Sequence, residues 1–238
     1  MPAIAQSIFV PAGALGLLLL AGCNMQVEPL GPPRTETRTI ELDKSEMVQV
    51  ELKMGAGDLS VRGGSSNLMD GEFTFNRPSM KPEVHYDASG FRGHLRIEEP
   101  SGVHSNAGKY RWDVRLNDEK PVDLRVDFGA GEGRLDIGSM NLRSVAIHMG
   151  VGELRLDLRG TPKSNYSVDM RGGVGEATVY LPREVGIMAR AKGGIGGINA
   201  RGLEKRGDEY VNNAYGHSKV TVDLDIRGGI GAINLIGD

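Results

Sequence analysis

Gly150-Val151-Gly152-Glu153-Leu154-Arg155-Leu156-Asp157-Leu158 sets a glycine-flanked apolar residue directly before a strict alternation of leucines and charges. Residues two apart on an extended chain share a face, so Leu154, Leu156 and Leu158 point one way and Arg155 and Asp157 the other. The phrase has five further copies: Gly55-Ala56-Gly57-Asp58-Leu59, Gly129-Ala130-Gly131-Glu132-Gly133, Gly173-Val174-Gly175-Glu176-Ala177, Gly194-Ile195-Gly196-Gly197-Ile198 and Gly229-Ile230-Gly231-Ala232-Ile233. Four apolar residues ahead of them, Phe128, Met149, Met170 and Ala191, stand 21 positions apart. A fixed period of that size marks stacked supersecondary units. A phosphate-binding glycine loop, by contrast, is needed once and opens a helix.

Alternation also precedes the glycines, in Leu124, Val126 and Phe128, in Val145, Ile147 and Met149, and in Val222, Leu224 and Ile226. Each unit therefore reads as strand, glycine corner, strand, and no long stretch after the N-terminus carries helical spacing. The 35 glycines fall mostly in these corners, and aromatic content of 5% predicts an aliphatic core. The expected fold is all-β: a β-helix-like solenoid of about 21-residue glycine-cornered repeats with an antiparallel N-terminal cap.

The first 22 residues read as a signal peptide, because residues 8–22 are apolar and end at Cys23, the only cysteine. Leu20-Ala21-Gly22-Cys23 resembles the bacterial lipobox, which implies cleavage before Cys23 and a diacylglyceryl group on its thiol. No Lys or Arg precedes Cys23, so either translation starts elsewhere or the α-amino group supplies the usual positive charge. Residues 23–38, with Pro29, Pro32 and Pro33, read as the lipidated cysteine and a flexible tether. Asn24 after the cysteine resembles an outer-membrane address if the source is Gram-negative. The remaining expected divisions are an antiparallel β region over 39–122 and the solenoid repeats over 123–238.

The run Val50-Glu51-Leu52-Lys53-Met54-Gly55-Ala56-Gly57-Asp58-Leu59-Ser60-Val61-Arg62-Gly63-Gly64 resembles the opening of the bacterial toast-rack domains. Asn76, Pro82-Glu83-Val84, Trp112, Leu116-Asn117, Pro121-Val122-Asp123-Leu124 and Gly129-Ala130-Gly131 are similar to that family's later landmarks. The match spans roughly Ile40 to Leu158, and the later repeats resemble LiaF-like β-domains of cell-envelope antibiotic-response proteins. The resemblance implies an envelope-associated accessory protein with no established catalytic residues.

Chemistry-bearing constellations are sparse. His85, His94, His104, His148 and His217 show no close metal-ligand spacing along the chain, and no Gly-x-Ser-x-Gly elbow is present. The glycine phrases at Gly172 and Gly193 resemble a calcium nonapeptide, but Ala177 and Ile198 stand where its aspartate belongs. Arg206-Gly207-Asp208 spells an adhesive tripeptide and reads as a hairpin turn. Interspersed charges summing to -3 give no basic stripe for nucleic acid.

The reading is thus a non-enzymatic scaffold, adhesin-like or accessory binding lipoprotein that needs no cofactor. Its partners are the membrane, through the anchor, and an unidentified envelope protein or glycan. The alternative is a glycan hydrolase using Asp136, Asp157 and Glu153, between which Arg134, Arg155 and Arg159 interleave. The longer last interval predicts a projecting insertion near Arg201–Lys219, in which Tyr210, Val211 and Tyr215 form a partner-binding tip or fold back as a plug.

Overall fold

The structure, a computed structural model, describes residues 29–101 and 108–237. The described residues form strands and a single 3-10 turn, Pro78–Met80, with no α-helix. The strands are β1 (Arg34–Ile40), β2 (Met47–Ser65), β3 (Met69–Phe75), β4 (Glu83–Ser89), β5 (Arg92–Glu98), β6 (Arg111–Asn117), β7 (Val122–Asp136), β8 (Leu142–Asp157) and β9 (Tyr166–Tyr180). They continue as β10 (Gly186–Lys192), β11 (Ile198–Arg201), β12 (Glu204–Arg206), β13 (Glu209–Val211), β14 (Thr221–Arg227) and β15 (Ile233–Ile236).

A full coil of the solenoid is one long strand bent at its glycines. β2, β7, β8 and β9 run through their corners unbroken and pair in parallel, arm on arm. At Gly131 the φ is +126°, a conformation L side chains rarely adopt, and a Cβ there would collide with the carbonyl oxygen of Gly57 in the next coil. The collision recurs from Gly152 onto Gly131, Gly175 onto Gly152, Gly231 onto Gly175 and Gly196 onto Gly231. Backbones thus stack in one glycine column along the whole solenoid, about 4.8 Å per step.

Alternation in both arms aims the same way. Val122, Leu124, Val126 and Phe128 from the first arm of β7 and Leu135 from its second are at most 4% exposed and join one continuous core. Each such side chain contributes about 1.5–3 kcal/mol by leaving water. Inside that coil Gly133 leaves room for a large neighbour: a Cβ on it would already touch the Phe128 ring at 3.7 Å. In the next coil Leu154, paired with Gly133, fills the corresponding place beside Met149.

Four features depart from the sequence expectation. The even period is the first. Phe128 pairs with Met149, 21 residues on, but Met149 pairs with Gly172, 23 on, so Met170 lies beside Ile147. The glycines set the register, and the longer turn after β8 absorbs the two extra residues. Second, the parallel stack begins with β2 rather than at residue 123, since β2 carries the first glycine corner. The antiparallel cap comprises β4 against β5 and β1–β3–β6, while β5 and β6 themselves run parallel to the two arms of β2.

Third, the coils do not all stack in chain order. β14 and β15 pair with the two arms of β9, and β10 and β11 lie outside them. The antiparallel hairpin β12–β13 follows β11 and pairs with β10. With β10 outermost, β13 covers part of its free edge, at Met188–Arg190. Fourth, the core is not purely aliphatic. The few aromatics gather at the cap, where the Trp112 ring meets Phe73 and Tyr110 edge-on, each at 5.9 Å between centroids.

Candidate interaction surface

The residue between each pair of corner glycines points away from the core. Ala56, Ala130, Val151, Val174, Ile230 and Ile195 therefore stand in register as a ridge along the outer edge of the glycine column. Val151 is 53% exposed, Val174 45%, Ile230 51% and Ile195 71%. These are four of the seven exposed large apolar side chains among the described residues. They stand in one row rather than scattered. Covering the four would return roughly half a side chain's burial each, about 3–6 kcal/mol in all.

Charged rows flank the ridge. On the first arm, Lys53, Asp127, His148, Arg171, Arg227 and Lys192 follow one another across the coils. On the second arm, Asp58, Glu132, Glu153 and Glu176 do the same. The ridge thus separates a flank that turns basic toward β10 from an acidic one.

Near β2 the charges form a network. Glu51 meets Lys53 Nζ at 3.0 Å, Arg96 Nε at 3.0 Å and Arg125 Nε at 3.8 Å. Asp127 meets Arg125 Nε and His148 Nδ1, both at 2.8 Å. Burial alone would raise both carboxyls, yet these cationic and hydrogen-bonding partners outweigh it and hold each below the usual carboxylate range. His148 lies on the outer face, as its position between Ile147 and Met149 implies, but it is bound to Asp127 rather than merely solvated.

The hydrolase candidates lie on the second arms of β7 and β8. Asp136 and Asp157 are neighbours in register, as are Arg134 and Arg155. Asp157 accepts hydrogen bonds from the Arg159 backbone N–H at 3.0 Å and from Nε at 2.9 Å. Burial would raise the Asp157 carboxyl, but Arg159 overrides it and keeps the group ionised. A glycosidase acid must instead be held protonated. Arg155 and Arg159 lie over the Tyr180 ring, at 4.5 and 4.8 Å from its centroid.

Other expected site residues are dispersed. Leu20, Ala21, Gly22, Cys23 and His104 lie outside the described residues. The last interval does not project; β12 and β13 extend the sheet from β10. Tyr210 stands opposite Ala189 and packs on the end of the core, Val211 is buried, and Tyr215 is half-buried in the following turn. Gly207, at φ +61°, makes Arg206-Gly207-Asp208 the β12–β13 turn. The nonapeptide positions Ala177 and Ile198 pack against the core.

Sequence reading missed the ridge, although its signal was present: an apolar residue recurs between the glycines of every copy. It also missed a cross-strand group, Glu83, His85 and Glu98, because antiparallel pairing rather than chain spacing brings them together.

The family description "N-terminal domain of toast_rack, DUF2154" matches residues 30–180. The chain belongs to the toast-rack family. Among solved structures it is similar to a protein named for cell adhesion from Clostridium sporogenes, at 34% identity and TM-score 0.79, covering 85% of this chain and 98% of that one. A protein named as an adhesin from Bacteroides fragilis aligns over 85% of this chain and 97% of that one, at 13% identity and TM-score 0.33. No curated protein matches the chain.

Proposed function

We propose that this toast-rack protein is a non-enzymatic adhesion or accessory domain of the bacterial envelope, tethered by lipid on Cys23, and that the glycine-corner ridge is its contact surface. The ridge carries the reading: a rigid stack holds four aliphatic side chains in water at fixed spacing. Its resemblance to the Clostridium sporogenes protein named for cell adhesion supports the same class. The lipobox supports the anchor, since one acyl chain binds marginally and two hold firmly. Asn24 favours the outer membrane in a Gram-negative source, and the LiaF-like resemblance favours a place in envelope stress response.

The test replaces Val151, Val174 and Ile230 together by Ser and measures binding of the purified protein to isolated envelopes and whole cells. Unchanged melting with at least tenfold weaker binding supports the ridge; full binding by the triple variant refutes it. For the anchor, Cys23→Ser should abolish labelling by radioactive palmitate and release the protein from membrane fractions. A native protein recovered unlabelled and soluble would end that part of the proposal.

A further inference from the structure

We propose that Glu83, His85 and Glu98 bind one divalent transition-metal ion of zinc character on the outer face of the β4–β5 hairpin. One ligand atom from each lies within 4.8 Å of the other two, giving two carboxylate oxygens and an imidazole nitrogen. Glu83 and His85 are two apart on β4 and so share a face, and Glu98 stands directly opposite Glu83 in the antiparallel register. His85 Nε2 is 3.4 Å from Glu83 Oε2. Two corners of a tetrahedral site with metal–ligand bonds of about 2.0–2.1 Å are about 3.3–3.4 Å apart, so two ligands already stand at coordination distance. The Glu98 oxygen, within 4.8 Å of the other two ligand atoms, must close in by side-chain rotation to take the third corner. Water takes the fourth.

Charge provides an independent reason for a cation here. Two carboxylates facing each other across a strand pair destabilise a sheet. The basic side chains around them are turned elsewhere. Lys53, opposite Glu98 on β2, reaches Glu51 at 3.0 Å, and Arg96, opposite His85, also holds Glu51 at 3.0 Å. Lys81 holds Glu36 at 2.6 Å. Asp87 and His94 share the same outer face farther along the hairpin, opposite each other.

A dication supplies the missing countercharge. Mixed nitrogen and oxygen ligands in so small a set suit zinc-like ions, whereas calcium takes six to eight oxygens. The ligands project from paired strands rather than a loop, so the backbone positions them. Glu83 and His85 also line a groove of about 370 Å³ whose apolar wall is Phe73, Phe75 and Val84. Glu98 does not line that groove, so the fourth position is left to water on the exposed face of the hairpin. The metal site itself does not depend on the adhesion reading.

The experiment is zinc titration of the full chain at pH 7.5 by calorimetry, with Cys23→Ser in every sample to remove the thiol. The parent should bind one equivalent and melt at a higher temperature with zinc present. His85→Ala and Glu98→Gln should each weaken binding at least tenfold and lose the thermal shift, while melting no lower than the parent without metal. Absence of saturable binding, or binding by either variant as tight as the parent's, overturns the proposal.

Discussion

Gly152→Ala tests the glycine column at its centre. Two penalties meet at this position: the native φ is +135°, and a Cβ would strike the Gly131 carbonyl of the adjoining coil. A strained backbone conformation of this kind costs on the order of 1–3 kcal/mol. Relieving the collision must push two coils apart where their main chains touch, which adds about 2 kcal/mol on the scale of overpacked cores. The sum is about 3–5 kcal/mol, or a fall in melting temperature of about 6–20 °C for a domain of this size. Two companions separate the penalties. Gly90→Ala has a φ of +62° in an open turn, with nothing within 4 Å, and should cost about 1 kcal/mol. Gly150→Ala carries only the collision, with the Gly129 carbonyl, and should fall between the others. Thermal and urea unfolding of the three variants give the comparison. If Gly152→Ala loses no more stability than Gly90→Ala, backbone stacking is not what selects glycine at the corners.

The strand phase predicts that Leu156→Asp, at a side chain fully withdrawn from solvent, unfolds the protein or costs several kcal/mol, whereas Arg155→Asp one position away costs under about 1 kcal/mol; equal melting shifts would contradict the phase. Asn212 accepts from the Ile187 N–H at 2.9 Å and donates to the Val185 carbonyl at 2.8 Å while nearly buried, so Asn212→Ala should cost about 1–3 kcal/mol and speed amide exchange in β10 and β13 before β7. Asp127, Glu51 and Asp157 have folded-state affinities for protons lowered by their cationic partners. Their stabilisation is present above the unfolded carboxylate range near pH 4 and is lost as the pH falls below it. Asp127→Asn should therefore flatten the acid limb of the stability curve, and an unchanged limb would remove Asp127 from that account.

Strand phase was legible in the chain because burial imposes period two on Leu154, Leu156 and Leu158, and the corners were legible because only glycine tolerates the approach of Gly131 to Gly57. Coil order was not. β10 and β14 carry the same alternation, and nothing local in Ile187, Ala189 and Ala191 or in Val222, Leu224 and Ile226 says which set lies outside. What distinguishes them is tertiary: β13 pairs with β10, and β14 with β9. The ridge escaped for a different reason: Val151 and Val174 resemble core residues by type, and only the corner geometry turns them outward. His85 escaped because Glu98 becomes its neighbour through hairpin register, thirteen residues along the chain.

The placement of β14 and β15 beneath β10 and β11 has a consequence for synthesis. A ribosome delivers β9 and then β10, yet the berth on β9 belongs to strands not yet made. Until Thr221–Ile236 emerges, β9 offers a bare edge along both arms, and β10 with its hairpin has no permanent seat. The final strands enter as a keystone enters an arch. A nascent chain halted between β13 and β14 is therefore not a shorter solenoid but an unlocked one, exposed to proteases and to edge-pairing with its neighbours on the same messenger.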